Sequence, residues 1–480
     1  MNSTTPPFHF LRISVALLVI TPAFSSAFAQ AVPTPTPIVN SSQIPADVSI
    51  PANFSGNPIA FFDDYSWRAF VAVVWPALQG QRGAPDPNQG VGGTGPRVFE
   101  TYKSLYEVFH NDGTAPAGWN DFDPPKYDPC GKAGAFNQMT LASFSKFSNV
   151  GQAGFGSLVG PIVAQGSTPT YVRYTTFFNQ VESDQITSTK WYLRANLPPG
   201  GITFNDGSID LKASWMDMTF AKHPERYYTR TATVMDPYTG QCKDVTVGLV
   251  GLHIVQKTPS RPQWIWSTFE QVDNVPPPQP GAPGTFGFND GTGAPQPGPP
   301  NPITLNPLPS PMPTPFNITR ALPIHPSTQK TNAAYQSALK SQGSGVWQFY
   351  QLTMTQWPLQ LNPPNPIPPT QSGAPQNTFP GTGATTAFAN TTLETFDQKS
   401  VGTSCMACHN LTMKATDFLW SLKDHAFPPN VPNLMMQDPE IRSLTNLIQA
   451  NHKAPNSTDK QTKEAPKTTP KTKPAASPKK

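Results

Sequence analysis

The sequence is poor in charged residues and lacks the short motifs of several familiar enzyme classes. Charged residues make up 13% of the 480 residues and aromatic residues 11%, a balance that suits a packed, β-rich body. Neither H-E-x-x-H nor G-x-S-x-G occurs, so the usual signals for zinc peptidases and α/β-hydrolases are absent. Residues 90–95 match G-x-G-x-x-G by letters, but prolines stand where a dinucleotide site needs a strand and a helix. We predict a loop there.

The net positive charge of the chain comes from its C-terminus. The chain carries a net charge of +4, yet 453–480 alone holds eight lysines against Asp459 and Glu464. No aromatic residues interleave those lysines, so we expect no nucleic-acid partner. A Lys/Pro-rich tail cannot bury apolar surface, and we predict that 452–480 is disordered. One role for this basic tail is contact with an acidic surface. The alternative is a solvated tail with no dedicated partner.

The first 29 residues predict a secretory signal peptide. Arg12 supplies the positive charge, 13–20 forms an apolar run, and Ala27-Phe28-Ala29 is an A-x-A cleavage site. The apolar run is too short to span a bilayer, so we expect no transmembrane segment after cleavage. The mature protein is then periplasmic or secreted, where disulfides persist.

Two of the four cysteines, Cys130 and Cys242, form an even pair in turn-rich surroundings. In an oxidising compartment we expect a disulfide between them. It would close a loop of about a hundred residues and stabilise the fold by about 2 to 5 kcal/mol. Two buried free thiols are the alternative, because the sequence does not give the distance between the two residues.

Proline and glycine are abundant, with 59 and 34 residues, which favours many loops over a mainly helical chain. Apolar residues at helical spacing predict helices over 61–78 and 99–109. Asp63 and Asp64 fit the start of the first helix, where capping explains them more simply than a catalytic pair. Short apolar or alternating runs predict strands at 171–178, 190–197, 209–215, 227–235, 245–255 and 263–272.

The most informative segment is the pentapeptide Cys405-Met406-Ala407-Cys408-His409. Two thiols at this spacing can each add to one vinyl group of haem, and the adjacent histidine can coordinate the iron. A zinc half-site would need a second ligand pair at short spacing, and none follows. A thioredoxin-like C-x-x-C would need a preceding strand, whereas 401–404 has the composition of a loop. The pattern therefore predicts one covalent haem c, with Cys405 and Cys408 as its attachment points and His409 as axial iron ligand.

The surroundings of the pentapeptide resemble those of bacterial exported c-type cytochromes. Thr391 and Glu394 form a capping box before it, aromatic and apolar residues follow at 418–422, and 438–451 has the pattern of a terminal helix. The resemblance is specific at Cys405, Cys408 and His409 and covers about 385–451. It implies haem attachment on the outer face of the bacterial inner membrane. The preceding body looks like that of uncharacterised exported cytochrome c proteins, which brings no known reaction with it.

The second axial ligand departs from the family's pattern. Typical class I members use a methionine well downstream of C-x-x-C-H, whereas Met435 and Met436 lie only 26 and 27 residues after His409. Packing against the terminal helix is the simpler role for these two methionines. The other candidates are His425 and two residues of the body, His253 and Met354. The sixth position could also be open.

These observations predict an α+β protein: a β-rich N-terminal body with flanking helices and long Pro/Gly-rich loops, followed by a small α-helical cytochrome c-like haem module. The boundaries are a signal peptide at 1–29, a flexible lead-in at 30–55, the body at 56–275, a Pro/Gly-rich linker at 276–330, an extension packing on the body at 331–384, the haem module at 385–451 and the tail at 452–480.

Two functions follow from this organisation. The first is one-electron transfer by a periplasmic monohaem cytochrome with a redox partner protein that the sequence does not identify. The second is a haem-dependent oxidoreductase, or a haem-based sensor, whose large body holds a substrate site. A saturated iron suits electron transfer, and an open sixth position permits chemistry on a small ligand. The sequence leaves open whether the protein is an enzyme.

Overall fold

The computed structural model describes most of the body and parts of the segment that contains the pentapeptide. The described residues are 36–52, 54, 56–143, 172–221, 223–235, 240–276, 286–289, 320, 323–357, 389–394, 405, 409 and 412–429. The predicted signal peptide at 1–29, the tail at 452–480, and Cys408, Met435 and Met436 lie outside them.

The described part of the chain contains six α-helices and eight strands. The helices are α1 (Ile59–Val73), α2 (Leu105–Val108), α3 (Gln180–Ser188), α4 (Pro326–Ser341), α5 (Met413–Thr416) and α6 (Trp420–His425). The strands are β1 (Lys103–Ser104), β2 (Thr140–Leu141), β3 (Arg173–Phe178), β4 (Ile209–Asp217), β5 (Thr229–Met235), β6 (Cys242–Thr258), β7 (Arg261–Gln271) and β8 (Tyr350–Gln356).

All eight strands belong to one curled sheet with β6 at its centre. One edge of β6 pairs with β4, and its other edge pairs first with β5 and then with β7. Neighbouring strands are antiparallel except β2 and β5. Register shifts at Ser214/Trp215 and at Thr268/Phe269 mark bulges, which bend strands and increase their twist. The predicted β-rich body is confirmed.

Two predicted elements are wrong. The run at 190–197 is not a strand: it follows α3, and only Leu193 makes a bridge, to Phe427. The apolar residues of this segment alternate as in a strand, but no neighbouring strand in the described part of the chain pairs with it, so no ladder of hydrogen bonds forms. The predicted helix at 99–109 is divided into a 3₁₀ turn at Val98–Thr101, β1 and α2. The loop predicted at 90–95 has no regular structure.

Different elements cover the two faces of the sheet, because successive residues of a strand point to opposite sides. Ile254 of β6 belongs to the larger core, where Trp67 of α1 and Tyr335 of α4 also lie. The next residue, Val255, belongs to a second apolar cluster with Trp264 and Trp266 of β7. The second cluster also contains residues of α2 and α3, and Phe418, Leu419 and Leu422 of the C-terminal segment. We call this second side of the sheet the tryptophan face.

Chain segments outside the regular elements also pack against the sheet. Within the predicted flexible lead-in, Val39 is buried in the main core, and the Pro45 carbonyl oxygen accepts a hydrogen bond from Gln256 at 2.9 Å. Within the predicted linker, α4 already begins at Pro326. Cys130 and Cys242 form a disulfide across 112 residues of sequence, with their Cα atoms 5.8 Å apart. A bridge over so long a loop restricts the unfolded chain strongly.

Asp63 does not cap α1, contrary to the prediction. It lies on the buried side of the helix and is fully inaccessible to solvent. Thr328 and Thr355 donate their hydroxyl protons to its carboxyl oxygens, at 2.7 and 3.1 Å. Burial raises the pKa of Asp63 to about 7, and the two hydroxyl donors only partly offset that effect.

We expect the difference in stability between wild type and Asp63→Asn to depend on pH. The folded protein holds the Asp63 proton up to about pH 7, whereas the unfolded chain releases it near pH 4, so wild-type stability falls as pH rises between these values. The loss attributable to Asp63 amounts to about 2 kcal/mol between pH 5 and pH 7. Urea unfolding at both values measures it, with the exposed Asp206→Asn as control. An unchanged difference between wild type and Asp63→Asn would contradict the assignment.

Candidate functional site

Residues 389–394, which we call the approach segment, dock on the sheet just before the pentapeptide. Their main anchor is Glu270 of β7, a fully buried carboxylate. Glu270 accepts hydrogen bonds from the backbone N–H and hydroxyl of Thr391, at 2.6 and 2.7 Å. The same carboxylate pairs with the guanidinium of Arg320, at 2.6 Å. One buried acid therefore fixes the chain on its way to Cys405.

The polar cap predicted at Thr391 is made by Asn390 instead, and in the described residues it closes a turn rather than a helix. Asn390 Oδ1 accepts from the backbone N–H groups of Thr392 and Leu393, and the Glu394 carboxylate accepts from the Asn390 N–H at 2.9 Å. Because Thr391 points to Glu270 instead, its side chain is not available as a cap. Glu270, which is distant in sequence, therefore decides whether Asn390 or Thr391 makes the cap.

Gly251 of β6 lets the approach segment lie directly on the strand. A Cβ atom at this position would stand 2.4 Å from the Thr392 hydroxyl oxygen and 2.6 Å from that of Ser214. No side chain fits in that space, so the contact requires glycine.

His253, two residues after Gly251, lies on the tryptophan face together with Val255. Its Nε2 atom is 3.1 Å from a carboxylate oxygen of Glu394, and both side chains are half-buried. The predicted ligand candidate in the body is thus in contact with the approach segment. The structure places His253 on the same side of the sheet as the pentapeptide.

His409 packs on the same face, with its ring centroid 4.4 Å from that of Trp266. Its Nδ1 atom lies 2.6 Å from the carbonyl oxygen of Phe418. A carbonyl only accepts hydrogen bonds, so Nδ1 carries the proton and the lone pair of the neutral ring is on Nε2. This is the arrangement that metal-binding histidines commonly show, since the second contact fixes the tautomer and the ring orientation.

Buried hydrogen bonds fix the turn that supplies this carbonyl. Asp417 and Phe418 both have left-handed backbone conformations, with φ of 50° and 74°. The buried Asp417 carboxylate accepts from Lys257 Nζ at 2.5 Å and from the Phe204 N–H at 2.8 Å. Its carbonyl oxygen accepts from Trp264 Nε1 at 3.0 Å. Two strained residues in succession cost free energy, and these buried contacts hold them in place.

Cys405 is half-buried and packs against the apolar cluster of the tryptophan face. The described residues of the pentapeptide, Cys405 and His409, therefore both lie beside aromatic and aliphatic side chains. An apolar macrocycle such as haem gains stability from such surroundings. In the described residues, the polarity of the surroundings therefore suits a haem held by this segment.

The other candidates for the sixth ligand, His425 and Met354, lie in two different places. His425 ends α6 with its ring centroid 6.2 Å from that of Phe109, and Met354 is buried in β8. The side chain of Met413, the nearest methionine after His409 in the sequence, is not among those described. Nothing in the described part of the chain selects one sixth ligand.

The described residues contain neither a multi-ligand metal site nor a membrane-spanning helix. Among the described residues, no group of three or more His, Cys, Asp or Glu side chains is arranged to hold a bare metal ion. A haem iron needs only its axial ligands from the protein, so such a group is not required. Within the same residues, no helix is both long and apolar enough to cross a membrane.

A cavity of about 70 Å³ lies away from the pentapeptide, beside β3 and the loop of Cys130. Its lining includes Arg82, Tyr106, Asp123 and Tyr127, and none of the described residues within 389–429 takes part. The cavity is therefore not part of the haem candidate site. The sequence did not indicate it, because its lining residues come from separate loops and strands.

Comparison of this chain with protein-family models, with curated proteins and with solved structures finds no match in any of the three.

Proposed function

We propose that this protein is an extracytoplasmic c-type cytochrome that binds one haem covalently and transfers single electrons. Cys405 and Cys408 form the two thioether bonds, and His409 holds the iron from one side. The observation that carries the proposal is the 2.6 Å contact between His409 Nδ1 and the Phe418 carbonyl oxygen. It selects the tautomer that presents Nε2 to a metal. The resemblance of 385–451 to exported c-type cytochromes adds to it.

When bound, haem supplies an iron that changes oxidation state by one electron. The protein's own contribution is to hold and shield it. Trp266 packs against the ring of His409, and the Asp417–Phe418 turn keeps that ring oriented. The apolar cluster around Cys405 limits access of water, which is one of the means by which proteins set a haem potential. The disulfide between Cys130 and Cys242 is compatible with an oxidising compartment.

The sixth ligand decides between electron transfer and chemistry on a bound molecule. Met435, Met436 and His253 are the main candidates, and His425 and Met354 are further ones. For His253 to bind iron through Nε2, its 3.1 Å contact with Glu394 would have to break. With two firm axial ligands the protein is an electron carrier that docks to a redox partner protein. With an open position it is the haem-dependent oxidoreductase or sensor.

The optical spectrum of the mature, haem-loaded protein tests the proposal, recorded oxidised and reduced, with and without carbon monoxide. We expect a low-spin spectrum that carbon monoxide does not change, because both axial positions are filled. A high-spin form that binds carbon monoxide readily would favour the oxidoreductase or sensor instead. A protein purified from a host that attaches haem, yet without a haem spectrum, would exclude both.

A further inference from the structure

A buried carboxyl group without a hydrogen-bond partner lies on α3, which contributes to the same apolar cluster as Phe418, the residue that contacts His409. Glu182, in the first turn of α3, is fully inaccessible to solvent. No described atom is at hydrogen-bond distance from either of its carboxyl oxygens, and the buried hydroxyl of Ser208 is likewise without a partner. A buried acid in this situation is far more stable neutral than ionised.

Backbone contacts connect Glu182 to the haem segment. Asn179 Oδ1 accepts from the N–H groups of both Glu182 and Ile209, at 3.2 and 3.0 Å. The Ser208 carbonyl oxygen accepts from the N–H of Lys257 at 3.0 Å. Lys257 in turn pairs with Asp417, whose neighbour Phe418 contacts His409. A continuous series of hydrogen bonds and chain neighbours therefore runs from the backbone of Glu182 to His409.

Two negative charges from neighbouring elements act on Glu182. Asp210 is on β4, and Asp417, which pairs with Lys257, is in the C-terminal segment. Burial, together with the negative charges of Asp210 and Asp417, raises the pKa of Glu182 well above its usual range. The Asp210 side chain is half-buried and accepts a hydrogen bond from Ser421, so it reaches the protein surface.

We propose that Glu182 is a proton-binding site coupled to electron transfer at the haem. Glu182 holds a proton while the iron is reduced, and releases it to solvent when the iron passes one electron to the redox partner. The carboxylate that forms then balances the additional positive charge on the iron. On reduction, one electron and one proton return together. This inference rests on the proposed function.

The test is the midpoint potential of the holoprotein between pH 5 and pH 9, in wild type and in Glu182→Gln. We expect the wild-type potential to fall with rising pH over part of this range. The slope approaches at most about 59 mV per unit, the equivalent of a tenfold change in proton activity for one electron. Glutamine mimics the neutral acid, so the variant keeps the high potential without the slope. The matched control is Asp184→Asn, an exposed position on the same helix, and this variant should keep the wild-type slope.

A second measurement needs no haem. Unfolding of the apoprotein should show that wild-type stability decreases as pH rises above the ordinary range of glutamate, and that Glu182→Gln removes part of this decrease. A wild-type potential that does not change with pH, or a slope that persists in Glu182→Gln, would overturn the inference while leaving the cytochrome proposal intact. Absence of covalent haem would instead overturn the proposed function, and the apoprotein measurement would still report on Glu182.

Discussion

Replacing Cys405 and Cys408 together by alanine is expected to abolish covalent haem attachment completely. Each thiol supplies one thioether bond, and no described cysteine besides Cys405 lies near His409, since Cys130 and Cys242 are joined to each other. Haem staining of a denaturing gel measures the result, because only covalently bound haem survives denaturation. The stain should be strong in wild type and absent in the double variant.

The matched control is Met406→Ala, which changes the pentapeptide but leaves both thiols and His409 in place. It should retain the stain of wild type. His409→Ala should also stain, since the thioether bonds do not depend on the imidazole, but its spectrum should show weakened iron coordination. Retained stain in the double cysteine variant would refute the assignment of Cys405 and Cys408.

Removing the carboxylate of Glu270 is expected to destabilise the fold by about 3 to 5 kcal/mol. Glu270→Ala leaves the buried guanidinium of Arg320 without its counter-ion and takes both hydrogen bonds from Thr391. A buried charge without a partner is much more costly than the pair it came from. Urea unfolding gives the loss, with the exposed Glu225→Ala as a control that should change little.

A double-mutant cycle makes this prediction specific to the pair. Arg320→Ala alone should also destabilise, but the two changes together should cost clearly less than the sum of the single ones, because the second change removes an already unpaired group. Additive losses would show that Glu270 acts through packing alone. We also expect Glu270→Ala to lower the yield of haem-loaded protein, since the approach segment loses its anchor just before Cys405.

The strands of the body were largely predictable from the sequence. β6 shows why: 245–255 is an almost continuous apolar run, and such a run remains buried whether its neighbours are antiparallel or parallel. The failures at 99–109 and 190–197 have a common cause. Both segments are apolar enough to be buried, but their backbone conformation was decided by the elements they contact, such as Phe427 beside Leu193. Local pattern does not contain that information.

Buried polar residues were the least predictable part of the fold and of the candidate site. Asp63 looks like a helix cap in the sequence and is instead a core acid between Thr328 and Thr355. Glu182 carries no sequence signal at all, because one glutamate in the first turn of a short helix is ordinary. Only its complete burial without a hydrogen-bond partner in the folded protein makes it unusual.

By itself the sequence determined the haem proposal for the pentapeptide, since the spacing of two thiols and a histidine over five consecutive residues is a local property. It also determined the β-rich character of the body, because the pattern of apolar residues follows the period of a strand. Tertiary structure alone decided how the His409 ring is held, which acid anchors the approach segment, and that the carboxyl group of Glu182 is fully buried. Those outcomes depend on contacts such as Thr391 with Glu270, 121 residues apart, which exist only when the folded sheet brings distant segments into one place.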